Sequence, residues 1–154
     1  MRYFVRCFVL IFCIRAADQG IKWYVTNNMA LGESNAVIDG IFHITYIRNN
    51  GAAFSIFKGQ TALLGIVTGV LIIVGIVFLY IKRHSENKLM MYSVSMIIGG
   101  GIGNLIDRIR LGYVVDYLDF RVFPVFNLAD ICVTTGCILL CLSILINGGK
   151  ETNE

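Results

Sequence analysis

The chain has 154 residues, of which 56% are hydrophobic and 15% charged, with a formal net charge of +3. A soluble domain carries about 25% charged residues, so the composition speaks against a water-soluble globule. The small net charge leaves no footprint for nucleic acid, and the length suits one domain.

The first apolar stretch, 4–25, is interrupted by Arg6, Arg15, Asp18 and Lys22. It has some features of a cleaved signal peptide: Arg2 and Arg6, then "CFVLIFCI", then "RAA". An arginine just before the small residues, and further apolar segments downstream, favour a retained spanning helix. "LIFC" at 10–13 is a poor lipid-attachment site, because a small residue is wanted before the cysteine. Asp18 lies three residues after Arg15 and four before Lys22, on one helical face. An internal ion pair is the plain reading of that spacing.

The next segment, 38–57, alternates: Phe42, Ile44 and Tyr46 share one strand face, His43, Thr45 and Ile47 the other. Asn50-Gly51 is a strong turn signal. A lone His43 reads as structural.

Three windows carry no charge: 59–81, 89–106 and 131–149, of 23, 18 and 19 residues. A helix needs roughly 20 apolar residues to cross ~30 Å of hydrocarbon. The spacing therefore predicts a mainly α membrane protein. Its four transmembrane helices fall near 4–25, 60–82, 89–107 and 128–147. The loop "IKRHSENK", 81–88, holds Lys82, Arg83 and Lys88 against one acid. Basic residues in short loops stay cytoplasmic, so this loop and both termini are expected inside. The 26–58 and 108–126 connections then lie outside, with a small β element among them. Gly65/Gly69 and Gly99/Gly103 form GxxxG pairs suited to close helix packing. The five cysteines fall within the helices without CxxC or metal spacing, and read as small packing residues.

With that orientation the polar residues converge. Asp18 and Lys22, then Asn104, Asp107 and Arg108, then Asn127 and Asp130 all reach the outer membrane face. An Asp inside a spanning helix costs about 2.5–3.5 kcal/mol on insertion scales, so several at one depth point to an assembled site. Singly each has a plainer reading. Asn104–Arg108 and Asp107–Arg110 have the spacing of helix-end clamps. Asn127 with Asp130 resembles a helix N-terminal cap.

In the second alternating run, "YVVDYLDF", Val114, Asp116, Leu118 and Phe120 share a face. Asp116 interrupts an apolar strand face, which is costly unless it is paired or used. Asp119, on the opposite face, is expected to be solvated. Asp116 and Asp130 are fourteen residues apart, and a strand-to-helix return can bring them together. Two close carboxylates share a proton. One then takes a proton from water while the other donates to the carbonyl, which permits amide hydrolysis without serine, cysteine or metal. The helix N-terminus favours the ionised form of Asp130, making it the base. A proton-coupled carrier using Asp18, Asp107 and Asp130 and a purely structural membrane subunit remain open on this reading.

Five pieces in order resemble the bacterial lipoprotein signal peptidase (signal peptidase II) family: "DQGIKWYV", "RNNGAAFSIF", "GGGIGNLIDR", "GYVVDYLDF" and "FNLAD". The resemblance implies an aspartic-type intramembrane endopeptidase of the bacterial inner membrane, without cofactor or metal. It implies cleavage of prolipoproteins just before a diacylglyceryl-modified cysteine, inhibition by globomycin-type cyclic peptides, and a monomer. It implies Asp116 and Asp130 as the catalytic dyad. Asp18, Asn49, Gly51, Asn104, Asp107, Arg108, Asn127 and Ala129 match its other motif positions, as site-shaping or substrate-binding residues, and Phe54 would help cover the substrate. One departure is Gly101, where the family usually has alanine.

Overall fold

The computed structural model describes residues 2–51, 59–85 and 87–151. Its elements are α1 (Arg2–Asn28), β1 (Ser34–Ile38), β2 (Phe42–Asn49), α2 (Thr61–Ile81), α3 (Lys88–Leu111), β3 (Val114–Asp119) and α4 (Leu128–Glu151). α3 is the hub, with α1, α2 and α4 each packed against it.

Among the described residues, three helices are long and apolar enough to cross a membrane: Thr61–Ile81, Lys88–Leu111 and Leu128–Ile146. α1 is long, but its five charged residues set it apart. α2 is apolar on every side, and only Leu79 is buried. Ile66, Val70, Leu71, Ile73 and Val74 all face outward. Such a helix would be untenable in water and is at ease in hydrocarbon.

The helix contacts follow from small residues. A Cβ on Gly99 would stand 3.0 Å from the Cβ of Ile14 and 3.3 Å from the Cα of Ile11. One on Gly100 would strike the Ala129 carbonyl, and one on Gly103 the Asp18 carboxylate. Glycine thus lets α3 approach α1 on one side and α4 on the other. The Gly65/Gly69 pair is different: added Cβ atoms would meet only Leu105, at 3.8 and 3.9 Å. Close packing by GxxxG holds for the second pair and not the first. At Gly101 a Cβ would find Ile72 at 3.4 Å, ordinary contact, so the alanine usual in the family would fit here.

The sheet has the order β1-β2-β3, antiparallel throughout. Ile44 pairs with Leu118 and Ile47 with Asp116, so Thr45 and Tyr46 face the single residue Tyr117. This bulge bends β2 and re-aims its last residues. Asn49 and Asp116 become diagonal neighbours on one sheet face. α3 ends at Gly112, whose φ of 77° is the left-handed conformation that suits glycine. β3 starts two residues later. Val25, Tyr46, Val115 and Tyr117 bury the sheet against the end of α1.

Candidate active site

α4 begins in an unusually complete cap. The side chain of Asn127 accepts from the Asp130 N–H at 3.0 Å, and the Asp130 carboxylate accepts from the Asn127 N–H at 3.2 Å. This is a reciprocal capping box, as the spacing predicted. The Tyr117 hydroxyl accepts from the Leu128 N–H at 3.1 Å, and Asp18 Oδ1 accepts from the Ala129 N–H at 3.1 Å. The first three N–H groups of α4, normally orphaned, are therefore all satisfied, by groups from three different elements. Ala129 is fully buried, between the Asp18 carboxylate and the approaching α3 backbone.

Beside the cap, Lys22 Nζ sits 2.9 Å from Asp18 Oδ2, 2.9 Å from Asp107 Oδ2 and 2.9 Å from Asn104 Oδ1. All three ammonium donors are engaged, in a buried ion triad. Asp107 also accepts from Gln19 Nε2 at 2.9 Å and from the Val115 N–H at 3.1 Å. The expected Asp18–Lys22 pair is present. The Asp107–Arg110 clamp is not: Asp107 turns inward to Lys22, because a buried carboxylate needs a buried cation. Gln19 and Tyr117 were not singled out from sequence. A polar residue directly after Asp18, and a tyrosine directly after Asp116, were the available signals.

The other two acids have no cation bonded to them among the described residues. Asp116 is 2% exposed. Its Oδ1 accepts from Asn127 Nδ2 at 2.6 Å and its Oδ2 from Asn49 Nδ2 at 2.8 Å. Asp130 Oδ1 accepts from Asn104 Nδ2 at 2.8 Å. Asn127 thus bonds to both carboxylates, by its side chain to Asp116 and its backbone to Asp130. Asn49 Oδ1 accepts from the Gly51 N–H at 2.9 Å, which directs the amide NH2 toward Asp116. Burial, and then the nearby Asp130 charge, push the Asp116 pKa up to about 7.

Both acids line a cavity of about 950 Å³ with Asn49, Asn104, Arg108 and Phe126; it continues along α4 past Thr134. The Nε of half-buried Arg108 has no hydrogen-bond partner among the described residues. Phe126 stacks on Phe120 and meets Phe123 edge-on at the mouth. Phe54 lies outside the described residues.

Asp119 is not solvated, contrary to the strand-alternation reading. It is 5% exposed and accepts from Thr45 Oγ1 at 2.8 Å and from the Arg121 N–H at 2.8 Å, with the Arg121 guanidinium 3.0 Å away. Burial alone would raise its pKa, but these bonds and the Arg121 charge hold it below the usual carboxylate value. Residues of β3 that alternate between its two faces are buried alike, and the Asp119 carboxylate is taken up by Thr45 of β2 and by Arg121. His43 behaves as expected of a structural residue, its Nδ1 3.2 Å from Ser34 Oγ.

The family model for signal peptidase (SPase) II matches residues 10–146. The chain belongs to the signal peptidase II family. It is 40% identical to the lipoprotein signal peptidase of Moorella thermoacetica, over 95% of this chain and 97% of that one. It is 45% identical to the lipoprotein signal peptidase of Halothermothrix orenii, over 88% and 92% of the two chains. A solved structure described as a bacterial membrane enzyme superposes with a TM-score of 0.87 at 33% identity, covering 95% of this chain and 91% of its own. As a member of the signal peptidase II family, the chain is a membrane peptidase. Among the described residues, no group of three His, Cys, Asp or Glu side chains is arranged to hold a metal ion.

Proposed function

We propose that the chain is a lipoprotein signal peptidase of the bacterial inner membrane whose catalytic dyad is Asp116 and Asp130. It removes the signal peptide of prolipoproteins N-terminal to the diacylglyceryl-modified cysteine. The observation that carries this reading is the shared Asn127. Two carboxylates bonded to one residue, facing one cavity and bonded to no cation among the described residues, are arranged to share a proton.

The raised pKa of Asp116 supports its role as the acid. The helix-start position of Asp130 favours its ionised form and supports its role as the base. Asp130 takes a proton from water as the water oxygen attacks the scissile carbonyl carbon. Asp116 gives its proton to the carbonyl oxygen. The tetrahedral intermediate collapses as that hydroxyl proton returns to Asp116. Asp130 passes its proton to the departing amine, so the dyad ends as it began. The pair titrates as a unit. Asn49, Asn104 and Asn127 hold the carboxylates; the unpaired Arg108 Nε is a donor available to a substrate carbonyl. Asp18, Asp107, Gly51 and Ala129 shape the site.

The chain forms one membrane domain with both termini cytoplasmic, α1 as the fourth span and the sheet on the outer face. It works as a monomer without cofactor, and globomycin-type peptides occupy the same cavity. The carrier reading loses ground because Asp18 and Asp107 are both tied to Lys22 and are not available to load protons. The test is cleavage of a lipid-modified precursor by purified enzyme in a chelator. Cleavage that persists, and disappears in Asp116→Asn and Asp130→Asn, supports the dyad; normal processing by Asp116→Asn removes it.

A further inference from the structure

A second cleft, of about 250 Å³, opens on the far side of the Lys22 triad. Arg15, Gln19 and Trp23 of α1 and Asp107 and Arg110 of α3 line it, with Lys22 at its inner wall. Lys22 has no donor left for a ligand, since Asp18, Asp107 and Asn104 take all three. Arg15 and Arg110 are exposed, and neither has a hydrogen bond or ion pair among the described residues. The three cations here stand against two acids, Asp18 and Asp107. One positive charge is left over.

We infer that this cleft holds the phosphate headgroup of an anionic phospholipid from the outer leaflet. The inference rests on the membrane placement proposed above, not on the dyad chemistry. Exposed Trp23 and Tyr24 mark the interfacial level of α1. Arg15 lies eight residues, about 12 Å, nearer the bilayer centre. An unpaired guanidinium at that depth is costly, and its long stem lets the charged head reach a polar partner. A phosphodiester supplies one negative charge and acceptor oxygens that match two guanidinium forks. A zwitterionic headgroup brings its own cation and leaves the extra charge uncompensated. Inorganic phosphate offers the same anion without acyl chains, so the source is settled by experiment.

Trp23 is the sole tryptophan of the chain and lines the cleft, so its fluorescence reports occupancy. The full chain in bilayer nanodiscs is quenched with phosphatidylglycerol carrying brominated acyl chains, or with equally brominated phosphatidylcholine. The expected preference for phosphatidylglycerol is about fivefold or more in relative binding constant. It falls to about one in the Arg15→Gln/Arg110→Gln double variant. Arg83→Gln, near the other end of the helices, keeps it. Equal quenching by the two lipids in the unaltered chain overturns the inference, as does a preference that survives in the double variant. Loss of the preference on adding inorganic phosphate at constant ionic strength assigns the cleft to a free anion and overturns the lipid. Absence of quenching by either lipid overturns the membrane placement and this inference with it. Asp116→Asn retains the preference, so a failure of the dyad chemistry and a failure of the lipid cleft are read separately.

Discussion

Two pairs of aspartates sit within one polar region, and they are held in opposite ways. Asp18 and Asp107 close on Lys22, and every donor of that ammonium is used. Asp116 and Asp130 are held by the amides of Asn49, Asn104 and Asn127, with no cation bonded to them among the described residues. The first pair is bonded to one buried cation, which fixes it in place. The second is oriented without being neutralised, so a proton can move on and off it. A bonded cation distinguishes the two pairs where burial does not: Asp18 and Asp116 are 0% and 2% exposed.

Substitution at the dyad gives the largest effect. Asp116→Asn and Asp130→Asn should each lower precursor cleavage by at least about 10²–10⁴-fold, with the helical circular dichroism retained. Residual activity near that of the parent would break the contrast from the reactive side. Lys22→Met attacks it from the other. It strands two buried carboxylates, and should cost about 3–5 kcal/mol, read as a lowered unfolding midpoint in detergent. A fully stable Lys22→Met chain would mean the triad is not the anchor.

Protonation gives the next effect. The folded-state pKa of Asp116, about 7, lies above its ordinary 3.8. The folded chain therefore holds this proton more tightly than the unfolded one. Stability from this group is highest below about pH 4 and falls as pH rises toward 7, by at most about 4 kcal/mol. Asp116→Asn should flatten that part of the pH–stability curve. Cleavage should decline above about pH 7 as the acid loses its proton. Asn127→Ala removes the bridge and the cap together. It should cost about 0.5–2 kcal/mol of stability and lower kcat more than it raises KM. The smallest effect belongs to Asp119→Asn. It weakens bonds to Thr45 and Arg121 and should cost about 1 kcal/mol, with cleavage near the parent rate.

Much of this contrast was legible in the sequence. Charge-free windows marked α2, α3 and α4 to within a few residues at most ends, because hydrocarbon demands long apolar runs. The Asn127–Asp130 box was readable because capping is local. β1 was missed: Ser34–Ile38 is exposed at every position, so no buried face imprints an alternation. The partner of Asp107 was misjudged for a related reason. Spacing along α3 offered Arg110, whereas the chosen cation, Lys22, is 85 residues away in sequence and near only once the helices pack. The solvation of Asp119 was misjudged because alternation names two faces without saying that both are covered.

The grip of α1 on its neighbours bears on a likeness noted at the start. The chain opens with basic residues, an apolar stretch and small residues, much as the leaders that its family trims do. A cut behind Ala17 would carry off Cys7, Ile11 and Ile14 and leave the glycine groove of α3 bare. The ionic bolt from Asp18 to Lys22 to Asp107, with the Ala129 N–H tied to the Asp18 carboxylate, makes this opening helix the backing for the start of α4, where Asp130 sits. Its bonds bind α1 into the packing of α3 and α4 rather than leaving it a detachable end.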